Sequence, residues 1–161
     1  MRFIFQNENV YQLERYIDYL DQISSRLPEG ARSFALADWH YDLNHRMCPH
    51  DSWFETATFR ELARGSRNEH RRLEITATFL GSFHDGVFDI VYKDVASYSL
   101  ELPSSTNRAI GVVHGDWIVD EILLTSNGLV SHEIQFSELV RWKVVCRDVV
   151  HQWRDLPRSN D

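Results

Sequence analysis

Leu73-Glu74-Ile75-Thr76-Ala77-Thr78-Phe79-Leu80-Gly81-Ser82-Phe83-His84-Asp85-Gly86-Val87-Phe88-Asp89-Ile90-Val91-Tyr92 is the stretch whose reading decides the fold. Side chains of a strand alternate between two faces, so a period of two marks a strand with one face buried. Leu73, Ile75, Ala77, Phe79 and Phe83 fall on odd positions, and Phe88, Ile90 and Tyr92 on even ones. A two-residue Asp85-Gly86 turn pairs Phe83 with Phe88 and Phe79 with Tyr92, bringing both apolar sets to one face. That hairpin also accounts for Asp85 by turn chemistry, so His84-Asp85 needs no catalytic explanation.

A second hairpin follows the same logic around Ser126-Asn127-Gly128. With Gly128 left-handed, Leu124 pairs with Val130 and Ile118 with Phe136. Val140, Trp142, Val144 and Cys146 continue the inward face along a last strand. This register places two polar residues, Asp120 and His132, on the apolar face and diagonally related, where each needs a partner. A one-residue slip would put Glu121 there instead. The pair reads either as a carboxylate–imidazole dyad for acid–base work or as two buried polar groups satisfying each other, and the second reading is preferred.

Working outward, the period of two begins at Ser33, with strands expected over Ser33–Asp38, Ser52–Arg60, Val95–Leu102, Ile110–Val113 and from Trp117. Arg60–Arg72 holds five Arg against two Glu around Gly65 and reads as a solvated connection. Upstream, Val10, Leu13, Tyr16, Ile17, Leu20, Ile23 and Leu27 recur at helical spacing, so one amphipathic helix over about residues 8–27 is expected, stopped by Pro28 and Gly30. The resulting class is α+β: an N-terminal helix on an antiparallel sheet of about seven strands, spanning 33–150 and curled as a sandwich or partial barrel.

At 161 residues, 43% apolar and 12% aromatic, the chain fits one domain, 1–161, with a core. Its net charge of −7 argues against general nucleic-acid binding and for a basic protein partner. No apolar run approaches a membrane span, and the first ten residues lack a secretory signal's apolar centre, so no membrane partner and a cytoplasmic location are expected. Cys48 and Cys146 form no Cys-x-x-Cys pair and are expected as free thiols.

Several pieces of pattern resemble small bacterial β-rich proteins of unknown function, some of them predicted immunity proteins of polymorphic toxin systems. They are His50-Asp51-Ser52-Trp53 opening a strand, Phe88 to Val95 closing on a polar corner, Asn127-Gly128 followed by His132-Glu133-Ile134, and the last strand Trp142 to Val149. Together they cover most of Asp51–Val149. The resemblance implies a binding protein with a toxin as partner.

Asp38 to Trp53 is the segment densest in chemistry-bearing groups. His40, His45, Cys48 and His50 are candidate ligands for zinc, although their spacing matches no compact ligand motif. Asp38, Trp39, His40, Tyr41, Asp42, Asp51 and Trp53 form a candidate acidic, aromatic contact surface. The His-Asp pairs do not sit on helices as in the metal-dependent phosphohydrolases named for that pair, and there is no nucleophile elbow or Gly-rich phosphate loop. Two functions follow. The first is a non-enzymatic, immunity-like binding module, and the alternative is a metal- or histidine-dependent enzyme using loop 38–53. A homodimer through an exposed edge strand such as Ser33–Asp38 is a further expectation.

Overall fold

The computed structural model describes residues 1–7, 10–103, 114–137 and 139–157. Strands β1 (Phe5–Asn7) and β2 (Val10–Gln12) form a small ribbon, followed by α1 (Glu14–Ile23), a single 3-10 turn (Ser24–Arg26) and α2 (Glu29–Ala35). Eight strands then build two antiparallel four-stranded sheets. They are β3 (Trp53–Arg64), β4 (His70–Leu80), β5 (Gly86–Lys93), β6 (Ser97–Glu101), β7 (Trp117–Leu124), β8 (Val130–Phe136), β9 (Arg141–Cys146) and β10 (Asp148–Asp155). One sheet has the order β10-β5-β4-β3 and the other β6-β9-β8-β7. Among the described residues no helix is long and apolar enough to cross a membrane.

The inner faces meet through rings. Phe79 lies 4.9 Å from Trp117, and Tyr92 lies 5.7 Å from His132 and 6.3 Å from Trp142. Ile75, Phe79, Phe88, Ile90, Ile122, Val130, Ile134 and Val144 are fully buried between them, and this apolar burial is the main term holding the sheets in place.

The decisive hairpin keeps the predicted faces but not the predicted register. Phe79 pairs with Phe88 and Ile75 with Tyr92, four residues off the expected pairing. An even shift leaves both apolar sets on one side. The reason is Trp153, whose ring lies against Gly81 and Gly86 where a Cβ would stand. The ladder therefore closes at Gly81 N–H to Gly86 C=O, 2.9 Å, and Phe83 sits in a wider loop, 55% exposed rather than inward.

In the second hairpin Leu124 pairs with Val130 and Gly128 is left-handed (φ 79°). A bulge between Trp117 and Val119 brings Trp117, not Ile118, opposite Phe136.

Three expectations are corrected. The helix expected over 8–27 is confined to α1, with residues 8 and 9 outside the described set. Ahead of it the chain doubles back as the β1–β2 ribbon, because the N–H groups of Arg2, Phe3 and Ile4 are held by Glu121 of β7. Ser33–Asp38 is not an edge strand, so it offers no strand for a homodimer. Its first half, Ser33–Ala35, belongs to α2, where Ala31, Phe34 and Ala35 bury one helical face and Pro28 stands at the start instead of ending the preceding helix. Gly30 is seated against the Val149 carbonyl of β10, leaving no room for a side chain. Arg60–Arg72 is not a loop, since β3 runs to Arg64 and pairs with β4 from His70. The expected strand Ile110–Val113 lies outside the described residues.

The expected last strand over Val140–Val149 is two strands in different sheets. Inward residues are even in β9 (Trp142, Val144, Cys146) and odd in β10 (Val149, with His151 half-buried on the same side). The change of parity at Arg147 marks the crossing.

Candidate functional site

Loop 37–52 is built as successive turns. The N–H groups of His40, Asp42, His45, Cys48 and Ser52 donate to the carbonyls of Ala37, Trp39, Asp42, His45 and Pro49. Its far end is sewn to β7, with Asp51 N–H to Trp117 C=O at 2.8 Å and Trp117 N–H to Ser52 C=O at 3.0 Å. Arg46 clamps its middle, donating to Asp155 Oδ1 at 2.7 Å while its guanidinium stands 5.1 Å over the Trp153 ring.

This path carries His40 inside, at 1% exposure, onto the pair that the register placed together. Asp120 Oδ1 accepts from His40 Nε2 at 2.9 Å and from Trp117 Nε1 at 3.3 Å, and Oδ2 accepts from His132 Nε2 at 3.1 Å. Tyr92 Oη lies 2.9 Å from His132 Nδ1. His40 Nδ1 is 2.8 Å from the Phe34 carbonyl of α2.

Hydrogen-bond chemistry assigns the protons. A carbonyl only accepts, so His40 Nδ1 carries a proton, and an ionised carboxylate only accepts, so Nε2 carries one too. His40 is therefore an imidazolium paired with the Asp120 carboxylate. Burial disfavours the charge on each, but the attraction and hydrogen bonds between them prevail. His40 is held above the ordinary imidazole range and Asp120 below the ordinary carboxylate range. His132 completes the set, its Nε2 donating to the Asp120 carboxylate and its Nδ1 hydrogen-bonded with the Tyr92 hydroxyl.

Glu121, next in sequence, is also fully buried, but on the opposite face of β7. The two acids thus divide the faces between them, Asp120 binding histidines and Glu121 binding the chain's first residues.

Beside the network lies a cavity of about 330 Å³, lined by Leu13, Leu43, Pro49, Ile118 and, at its polar end, by His40, Cys48 and His50. Cys48 donates its thiol to the His40 carbonyl at 3.2 Å, and burial pushes that thiol up to about 11, with the charges of Asp120, Asp42 and Asp51 adding to the effect. A thiol so placed is a poor nucleophile at neutral pH.

The predicted site residues therefore separate. His40, Asp120 and His132 converge. His40, Cys48 and His50 share a cavity wall, while His45 Nδ1 accepts from Met47 N–H. Among the described residues no three His, Cys, Asp or Glu side chains group as ligands for a metal ion. Trp39 and Tyr41 of the expected contact surface turn inward. Trp39 packs at 4.6 Å on His151, and Tyr41 donates to the Asp120 carbonyl at 3.0 Å. Asp38, Asp42 and Asp51 remain exposed, as does Trp53 at 49%.

Comparison of the chain with protein-family models, curated proteins and solved structures gives no match.

Sequence reasoning missed Tyr92, Trp117 and His151. Tyr92 had inward parity, but only the meeting of two sheets sets it against His132. His151 was hidden by the unrecognised change of sheet.

Proposed function

We propose that the chain is a non-enzymatic protein-binding module of the immunity or antitoxin kind, acting in the cytoplasm on a basic partner, with its two sheets as an open sandwich that carries loop 37–52. The observation that carries this reading is the acidic surround of the apolar cavity. Asp42 and Asp51 are exposed yet close enough for their charges to act on Cys48 in the cavity wall, and Leu43, 63% exposed, stands at its side. An apolar socket with acids around it suits an aliphatic or aromatic anchor carried on a Lys- or Arg-rich segment. Buried anchors supply most binding energy and rim charges steer association.

A histidine-dependent enzyme finds one observation in its favour, the cavity's reach to His40 and Asp120. Against it, both nitrogens of His40 and of His132 are already engaged, leaving no proton-transfer position open to a substrate. Zinc held by His40 would require the imidazolium to lose its proton and leave Asp120.

The test is calorimetric titration with the basic proteins encoded beside this chain, using wild type and the double variant Asp42→Lys, Asp51→Lys. Micromolar or tighter binding, weakened at least tenfold in the variant, is expected. Absence of binding to any of them, or stoichiometric metal in protein purified without a tag, overturns the reading.

A further inference from the structure

The net charge conceals a segregation. Strand β4 pairs with β5 only over Ile75–Leu80, whereas its pairing with β3 continues through Glu74 to His70. Beyond Leu73, whose carbonyl still accepts the Val95 N–H at 2.8 Å, the pairs from Leu62–Arg72 to Arg64–His70 and their turn stand as a two-stranded arm with strands roughly 10 Å long at about 3.3 Å per residue. Its tip turns at Gly65 (φ 91°) and Asn68 (φ 55°). Apart from Leu62, every residue from Arg60 to Arg72 is exposed. From Leu62 to Arg72 the arm holds four Arg and one Glu, a net +3, so the remainder of the chain carries −10, and Arg60 stands at its base.

Cross-strand partners share a face, which puts Arg60, Arg64 and Arg72 with His70 on one side against Glu74 alone. Arg71 is paired with Glu61 at 3.2 Å and Arg72 with Asp94 at 3.3 Å. Arg60, Arg64 and Arg67 make no ion pair among the described residues. An exposed ribbon of this kind contributes nothing to the core, and its unpaired guanidinium groups present the donor fork that matches phosphate.

We propose that this arm contacts the phosphates of a nucleic-acid duplex. A groove about 12 Å wide admits a two-stranded ribbon, and β-ribbons are an established way of entering one. The −10 body repels the polyanion, so contact is confined to the arm and does not extend over the surface. The interaction is correspondingly modest, sequence-independent and strongly weakened by salt.

The test is fluorescence anisotropy of a labelled 20-base-pair DNA duplex with the full chain at about 50 mM salt. With roughly three phosphates neutralised, the slope of log K against log salt is expected near −3. The triple variant Arg60→Ala, Arg64→Ala, Arg67→Ala should lose at least tenfold in affinity while keeping the wild-type urea midpoint, since none of the three is buried. Asp42→Lys with Asp51→Lys should leave arm binding intact or strengthen it, which separates this proposal from the basic-partner reading. No binding at 50 mM salt, binding unchanged in the triple variant, or equally tight binding of poly-glutamate overturns the proposal, the last by showing an acidic polypeptide to be as good an occupant.

Discussion

Asp120 has two carboxylate oxygens, and three side-chain N–H groups, from His40, His132 and Trp117, aim at them inside a core where all four side chains are at most 2% exposed. Removing a carboxylate from such a pair strands the opposite charge, which costs far more than an exposed ion pair is worth. Asp120→Asn is therefore expected to lower unfolding stability by about 3–5 kcal/mol, measured by urea denaturation at pH 7. A loss below about 1 kcal/mol would show that His40 gives up its proton at little cost.

At the scale of elements, the exposed-edge problem of β7 is solved by tyrosines. This strand ends its sheet, and the free backbone groups of a sheet edge invite pairing with another chain. Tyr16 Oη accepts the Ile122 N–H at 2.5 Å and donates to its carbonyl, Tyr19 Oη accepts the Leu124 N–H at 2.9 Å, and Tyr41 Oη donates to the Asp120 carbonyl. Helix α1 and loop 37–52 thus act as the missing strand. Tyr16→Phe should leave a buried N–H unpaired at a cost of about 1–3 kcal/mol. Hydrogen exchange of the Ile122 amide should accelerate beyond the change at core amides of β8, and a uniform change across both strands would refute the edge role. The fully buried Tyr16 had been legible as a core residue of an amphipathic helix, but its hydroxyl's partner had not, because that partner is 106 residues away.

For the whole molecule, three buried groups set opposite limbs of the stability curve. His151, among Phe34, Trp39 and Phe88, is pushed down to about 4, first by burial and then by the charge of His40. Its folded value lies below the unfolded one, so stability is lost as pH falls from about 6.5 toward 4. Asp120, also lowered, adds a loss below about pH 4. His40 is raised, so its contribution is complete below about 6.5 and is lost as pH rises through its folded value. Stability should therefore peak near pH 6–7 and fall on both sides, the acid limb flattening in His151→Phe. Equilibrium unfolding at a series of pH values tests this, and a curve still rising above pH 8 would contradict it.

How much of this was legible follows from the range of each interaction. Alternation in Leu73–Tyr92 and Ile118–Phe136 determined β-structure, inward faces and the nearness of Asp120 to His132, because side-chain parity is a local property of the backbone. It could not determine the hairpin's closing pair, which the ring of Trp153 sets from another strand, nor reveal the arm at Leu62–Arg72, where Leu62 alone is half-buried and so no alternation shows. The short run Ser33–Asp38 misled because its helical contacts are made by Ala31 and Phe34 against β10, a strand itself hidden by the parity change at Arg147. His40 looked like a metal ligand among other donors. Only tertiary packing, by laying Phe34, β7 and β8 around one ring, gave both of its nitrogens acceptors and made it the cation of a buried pair.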